Sequence, residues 1–156
     1  MTTKEEEYVH YAECIESLSR AWLILQDLRV IEKKTAIHDA AFRFALVAYA
    51  KPYNRSDGIH RKGRTAYILP PPILPQEELA LHCKILDLRK KVLAHSDLTL
   101  KDAKIYLSRY GGQANLCIGR NILPPLPDID AVIQLIEHTL EIMYEEKSQL
   151  LESLVP

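Results

Sequence analysis

Apolar residues recur along this chain at two different spacings, and the change from one to the other divides it. Tyr8, Tyr11, Ile15, Leu18, Trp22 and Leu25 fall alternately three and four apart, which is one stripe of an amphipathic helix over residues 4–28. Thr3 with Glu6 three residues later predicts a capping box at its start. The stripe reads as core, although Leu23 and Ile24 widen the apolar surface enough to admit a seam with a helix of another molecule. Beyond the charged joint VIEKK, residues 35–51 hold six alanines together with Phe42, Phe44 and Val47. Small residues let a neighbouring helix approach closely, and Pro52 stops this second helix. His38 and Asp39 point in different directions on it, which argues against a metal site there.

Pro75 suits the first turn of a third helix, and Glu77 and Glu78 complement its positive end. Leu79, Cys83, Leu86, Lys90 and Leu93 form one ridge, and Leu81, Ile85, Leu88 and Val92 another. That pattern predicts burial over much of the surface and a place at the centre of a bundle. Past Asp97 the period falls to two: Ile105 and Leu107, then Leu116 and Ile118, flank Gly111-Gly112, a hairpin signal within residues 102–121. Pro124, Pro125 and Pro127 end that excursion. Asp128 is a good N-cap for a last helix over residues 129–151, striped by Ile129, Val132 or Ile133, Ile136, Leu140, Met143 and Leu150. Neither an internal repeat nor a linker divides the chain, so the expectation is one domain over residues 1–156. Its class is all-α dominated: a four-helix up-and-down bundle with a small β-hairpin insertion between helices three and four.

Composition narrows the classes. At 156 residues, 47% hydrophobic and 26% charged, the chain reads as an ordinary soluble domain able to close a core without metals or disulfides. No apolar run approaches the roughly 18 residues of a membrane span, and MTTKEEEY is acidic where a signal peptide is basic, so a cytoplasmic protein with no membrane partner is expected. Cys14, Cys83 and Cys117 are odd in number and without CxxC spacing, which predicts buried, reduced thiols. Six scattered histidines show no HExxH or paired ligand spacing, and no glycine-rich loop follows a strand. No cofactor and no metal is therefore expected.

Charge is unevenly placed despite a net value of −1. Residues 51–64 carry Lys51, Arg55, Arg61, Lys62 and Arg64 against Asp57 alone, whereas residues 128–156 carry seven acids against Lys147. Residues 52–75 form the longest irregular stretch, and a loop of that length in a compact domain is usually functional or disordered. Its cations, with Tyr53 and Tyr67 among them, are candidates to clamp a phosphate backbone and stack a base; a solvated charged loop is the alternative.

Chemistry is hinted at in one place, LDLRKKVLAHSDL, where Arg89 and His95 stand six apart at the end of an apolar helical run. An arginine fork stays charged and fits phosphate oxygens, and an imidazole titrates near neutrality, so the pair suits RNA strand scission. On a regular helix His95 lies about 9 Å farther along the axis and about 120° around, so convergence requires an extended arginine or a helix that ends near Ala94. With Leu88, Leu93, Ala94, Ser96 and Asp97 around it, the stretch resembles the Arg-x5-His motif of the HEPN superfamily, abortive-infection-like branch, and YAKPYNRS looks like the segment after the second helix of that branch. Two positions depart from the pattern: Lys90 replaces a small polar residue, and Asp97 replaces a tyrosine.

The resemblance implies a HEPN-like helical domain acting as a metal-independent endoribonuclease. Arg89 and His95 are its implied catalytic residues, RNA its substrate, and a composite site forms across a homodimer. A toxin or phage-defence role follows from the resemblance alone, and with it an antitoxin protein as a partner class. Ser96, Asp97 and Lys90 are the supporting residues, Asp97 as the group that orients or charges His95. Lys51, Tyr53, Arg55, Arg61, Lys62 and Arg64 are the RNA-binding candidates. The alternative is a non-catalytic helical module for a nucleotide or a protein, in which Arg89 caps helix carbonyls and His95 packs.

Overall fold

In the computed structural model the described residues are 1–31, 35–90 and 125–154, together with the backbone of 105–110 and 113–118. Four helices make the body: α1 (Thr3–Val30), α2 (Ala36–Ala50), α3 (Gln76–Leu88) and α4 (Ile129–Glu152). Thr35 caps α2 by accepting from His38 N–H, and Asp128 caps α4 by accepting from Ala131 N–H. The all-α class therefore holds. Between α3 and α4 the backbones of β1 (Ile105–Tyr110) and β2 (Gln113–Ile118) pair antiparallel, Ile105 opposite Ile118 and Tyr110 opposite Gln113. No described helix is long and apolar enough to cross a membrane.

The cap of α1 sits one residue earlier than the sequence suggests. Thr2 and Glu5 form the capping box, which frees Glu6, expected in that role, for a different task. The buried line of α1 is Tyr11, Cys14, Ile15, Leu18, Ala21, Leu25 and Leu28. Ala21 takes the place in the core that the spacing assigns to Trp22. The indole stands on the shoulder of the helix instead, donating to Glu137 Oε1 at 2.8 Å.

The central helix is α1, not α3. It packs on both α2 and α4. Against α4 it runs antiparallel: Tyr11 reaches Glu146, Trp22 reaches Glu137 and Arg29 reaches Asp130. Of α3 only His82, Ile85 and Leu88 are buried, and Cys83, expected inside with Cys14, is exposed. The described part of α3 packs on α4 and α2 along one face only, which leaves Cys83 and Lys84 on its outer face. Each fully buried Leu or Ile of the common core (Leu18, Leu25, Leu46, Ile85, Leu135, Ile136) contributes about 1.5–3 kcal/mol. Interhelical ion pairs such as Arg29–Asp130, both ends about half exposed or more, add about 0–1 kcal/mol. Apolar burial around α1 thus holds the body together.

Residues 52–75 are folded onto the bundle rather than free of it. The Glu6 carboxylate, 5% exposed, accepts from the backbone N–H groups of Ile59 and His60. Burial opposes its ionisation, but those two donors outweigh burial and hold the carboxyl below its ordinary value. Ser56 and Tyr67 bridge the two arms of the loop, and the Tyr67 ring stacks on His10 of α1 at 4.6 Å. Glycine is required at 58, where a Cβ would lie 2.1 Å from Glu6 Oε1 and 2.8 Å from the Tyr67 ring.

Candidate anion-binding site

The site is assembled where α3 meets the end of α2 and the middle of α1. Arg89 follows the last residue of α3 in helical conformation, with its N–H directed at the carbonyls of Ile85 and Leu86. Its side chain is half-buried, and the shielded Nε finds no hydrogen-bond partner among the described residues. Its guanidinium borders the open space beside it. The space in front of it is a cleft of about 370 Å³ lined by Ser17 and Arg20 of α1, Phe44, Val47 and Ala48 of α2, and Lys51, Asn54, Arg55 and Ser56 where the chain leaves α2.

Local structure explains why these residues converge. Ser17 donates to Ala48 O at 3.2 Å, a contact that the alanines permit by letting α1 and α2 lie close. Pro52 ends α2 in a 3-10 turn, Lys51–Tyr53, and Asn54 then donates its side-chain amide back to Ala50 O. That cap turns Lys51 and Arg55 toward the mouth of the cleft. Among the described residues four cations line it and no carboxylate does; Glu16, paired to Arg20 at 2.9 Å, stands outside. Because both ends of that pair are about 60% exposed, it offsets little of the local positive charge. The cleft is therefore suited to a phosphate or similar anion, with a fork at Arg89, point charges around it and neutral donors from Ser56 and the second amide proton of Asn54.

Of the expected RNA-binding residues, Lys51 and Arg55 join Arg89. The others are placed elsewhere. Tyr53 packs its ring against His82 at 4.6 Å and Tyr49 at 5.8 Å, away from the cleft lining. Tyr67 is likewise unavailable for stacking, with His10 on its ring and the Arg61 guanidinium carbon 4.7 Å from its centroid. Arg61 is spent on that ring, on Thr65 O and on Glu7. Lys62 and Arg64 are exposed at the 3-10 turn Gly63–Thr65, outside the cleft, and Lys90 is exposed beside Arg89. His95, Ser96 and Asp97 lie outside the described residues. Arg20 and Ser17 were missed because on α1 alone they read as a solvated edge; the packing of α2 against α1 brings them to the cleft.

Two further clusters of titratable groups belong to the fold. His82, 1% exposed, meets the Tyr49 hydroxyl at 2.7 Å. Burial pushes this imidazole below its ordinary value and the Tyr49 hydroxyl above its own. A second cavity, about 600 Å³, is lined by His10, Tyr11, Arg61, Tyr67, Glu146 and neighbouring residues. Burial first, then the charges of Arg61 and Lys51, lower the pKa of His10. There the Tyr11 hydroxyl donates to Glu146 and Arg61 faces Glu7, so the charges are already compensated. Among the described residues no three His, Cys, Asp or Glu side chains stand together as metal ligands.

No protein-family model, no curated protein and no solved structure matches this chain. The site must accordingly be interpreted from its own geometry and from the motif at Arg89.

Proposed function

We propose that the chain is a metal-independent endoribonuclease of HEPN type, built as a hairpin-inserted up-and-down bundle and working as a homodimer. The observation that supports this reading is the Arg89 cleft, where the arginine is surrounded by Lys51, Arg55 and Arg20 and, among the described residues, by no carboxylate. Arg89 holds the scissile phosphate. In the reaction a base removes the ribose 2′-hydroxyl proton, the 2′-oxygen attacks phosphorus, and an acid protonates the departing 5′-oxygen. The products are a 2′,3′-cyclic phosphate and a free 5′-hydroxyl. His95 is the group assigned to the proton transfers, with Asp97 favouring its charged form. One chain supplies one Arg-His pair, and a two-fold dimer supplies both base and acid.

The test is incubation with total RNA in EDTA beside the Arg89→Ala and His95→Ala proteins, with sizing at micromolar concentration. Cleavage that both substitutions abolish, by a protein of about twice 17.9 kDa, supports the reading. A monomer that still cuts RNA contradicts the composite site. Wild-type rates in His95→Ala remove the enzyme reading and leave a non-catalytic anion-binding module at the same cleft.

A further inference from the structure

A groove of the opposite chemistry runs along the seam of α1 and α4. Ser19, Trp22 and Leu23 of α1 and Gln134, Glu137, His138, Leu140, Glu141 and Tyr144 of α4 line it, with Glu78 of α3 at one side, around a volume of about 830 Å³. Positions 134 to 144 span about 15 Å of helix, or three turns. The apolar members are large and open: Leu23 is 57% exposed and Tyr144 51%. Three carboxylates border them: Glu141, Glu137, which accepts from Trp22, and Glu78, which meets His138 at 2.9 Å; among the described residues no lysine or arginine lines the groove.

We infer that this groove is a docking site for a cationic amphipathic helix of a partner protein. Two antiparallel helices leave a furrow that a third helix fills with residues at i, i+3, i+4 and i+7. The acidic margin selects a partner whose polar flank is basic. A second copy docked symmetrically through the same groove would face these carboxylates with their own images, which like-charge repulsion disfavours. The inference stands independently of any chemistry at Arg89, whose cleft is lined by other residues.

Trp22 is the only tryptophan in the chain and lies in the groove, so its emission reports on occupancy. The probe is a synthetic 18-residue helix with leucines at the i, i+3, i+4, i+7 positions and lysines elsewhere, set beside the same pattern with glutamates. Saturable change of Trp22 emission by the lysine peptide alone, weakened at least tenfold by Glu141→Lys and by Leu23→Asp, supports the site; circular dichroism melts establish that both variants fold. An unchanged emission, an equal response to both peptides, or a response indifferent to Glu141→Lys overturns it. A wild-type dimer that Leu23→Asp converts to a monomer also overturns it, because the groove is then covered by a second copy.

Discussion

Lys51 and Arg55 belong to the same basic run as Arg61, yet the two ends of that run have opposite fates. Arg61 lies over the Tyr67 ring and reaches Thr65 and Glu7, so its charge is absorbed in pinning a loop to α1. Lys51 and Arg55 line a cleft with Arg20 and Arg89 in which, among the described lining residues, there is no carboxylate, Arg20 alone pairing with Glu16 outside it. A run of like charges in sequence therefore says little about function until the acids and rings nearby are known. What distinguishes the candidate site is the absence of compensation among its lining residues, not the density of cations.

The comparison is broken most severely by changing Arg89. On the proposed function, Arg89→Ala lowers RNA cleavage about 10²–10³-fold, the scale of losing one preorganised charge-stabilising group, and also weakens RNA binding, whereas Arg61→Ala leaves both within about twofold. Single-turnover rates and filter binding on the same RNA measure the difference. Comparable losses from both variants would erase the distinction between the two regions.

Next in size is a change that strikes the compensated region alone. Gly58→Ala forces a methyl against Glu6 and Tyr67 and is expected to destabilise the protein by about 1–3 kcal/mol, read in urea unfolding. RNA affinity of the folded fraction should be unaltered, and an undiminished midpoint would show that the loop is not held by this contact.

Salt sharpens the contrast further. Removing one phosphate-binding cation reduces the slope of log K against log salt by about 0.7 for single strands. Lys51→Ala and Arg55→Ala should each flatten the slope by roughly that amount, and Lys62→Ala, outside the cleft, should not. A slope that Lys62→Ala flattens equally would place the RNA on the loop instead.

Acidification has the gentlest effect. The His82 pKa is depressed in the folded state from 6.5, so the unfolded chain binds more protons below that value, and stability is fully present above it and is lost as pH falls toward the folded value. Glu6 is depressed from 4.5, so its contribution is lost only at still lower pH. Unfolding titrations of His82→Gln and Glu6→Gln should therefore flatten the two windows separately, and a single shared window would contradict the assignment.

Helix types and some ends were legible because they depend on neighbours in sequence: Asp128 caps α4 and Pro52 ends α2, whereas the cap of α1 lies one residue earlier than expected. The rank of the helices was not. Leu79, Leu81 and Leu86 make α3 look enclosed, yet in the described part of the helix they are only partly covered. Arg89, Lys51 and Arg55 were readable as cations, but Arg20 enters the cleft only through the packing of α2 against α1. The setting of Tyr53 and Tyr67 was hidden for the same reason, since an aromatic residue in a loop looks alike whether it faces solvent or, as here, His82 and His10.

The missing side chain at position 58 also has a hereditary consequence. Because the Glu6 carboxylate occupies the volume a Cβ would need, two positions far apart in the chain can drift only together. A lineage that replaces Gly58 must retract or shorten residue 6 and also shift the Tyr67 ring, whereas one that keeps both in place keeps the glycine. Among future relatives, variation at these two positions should be correlated, tracing the attachment of the loop before any of their structures is known.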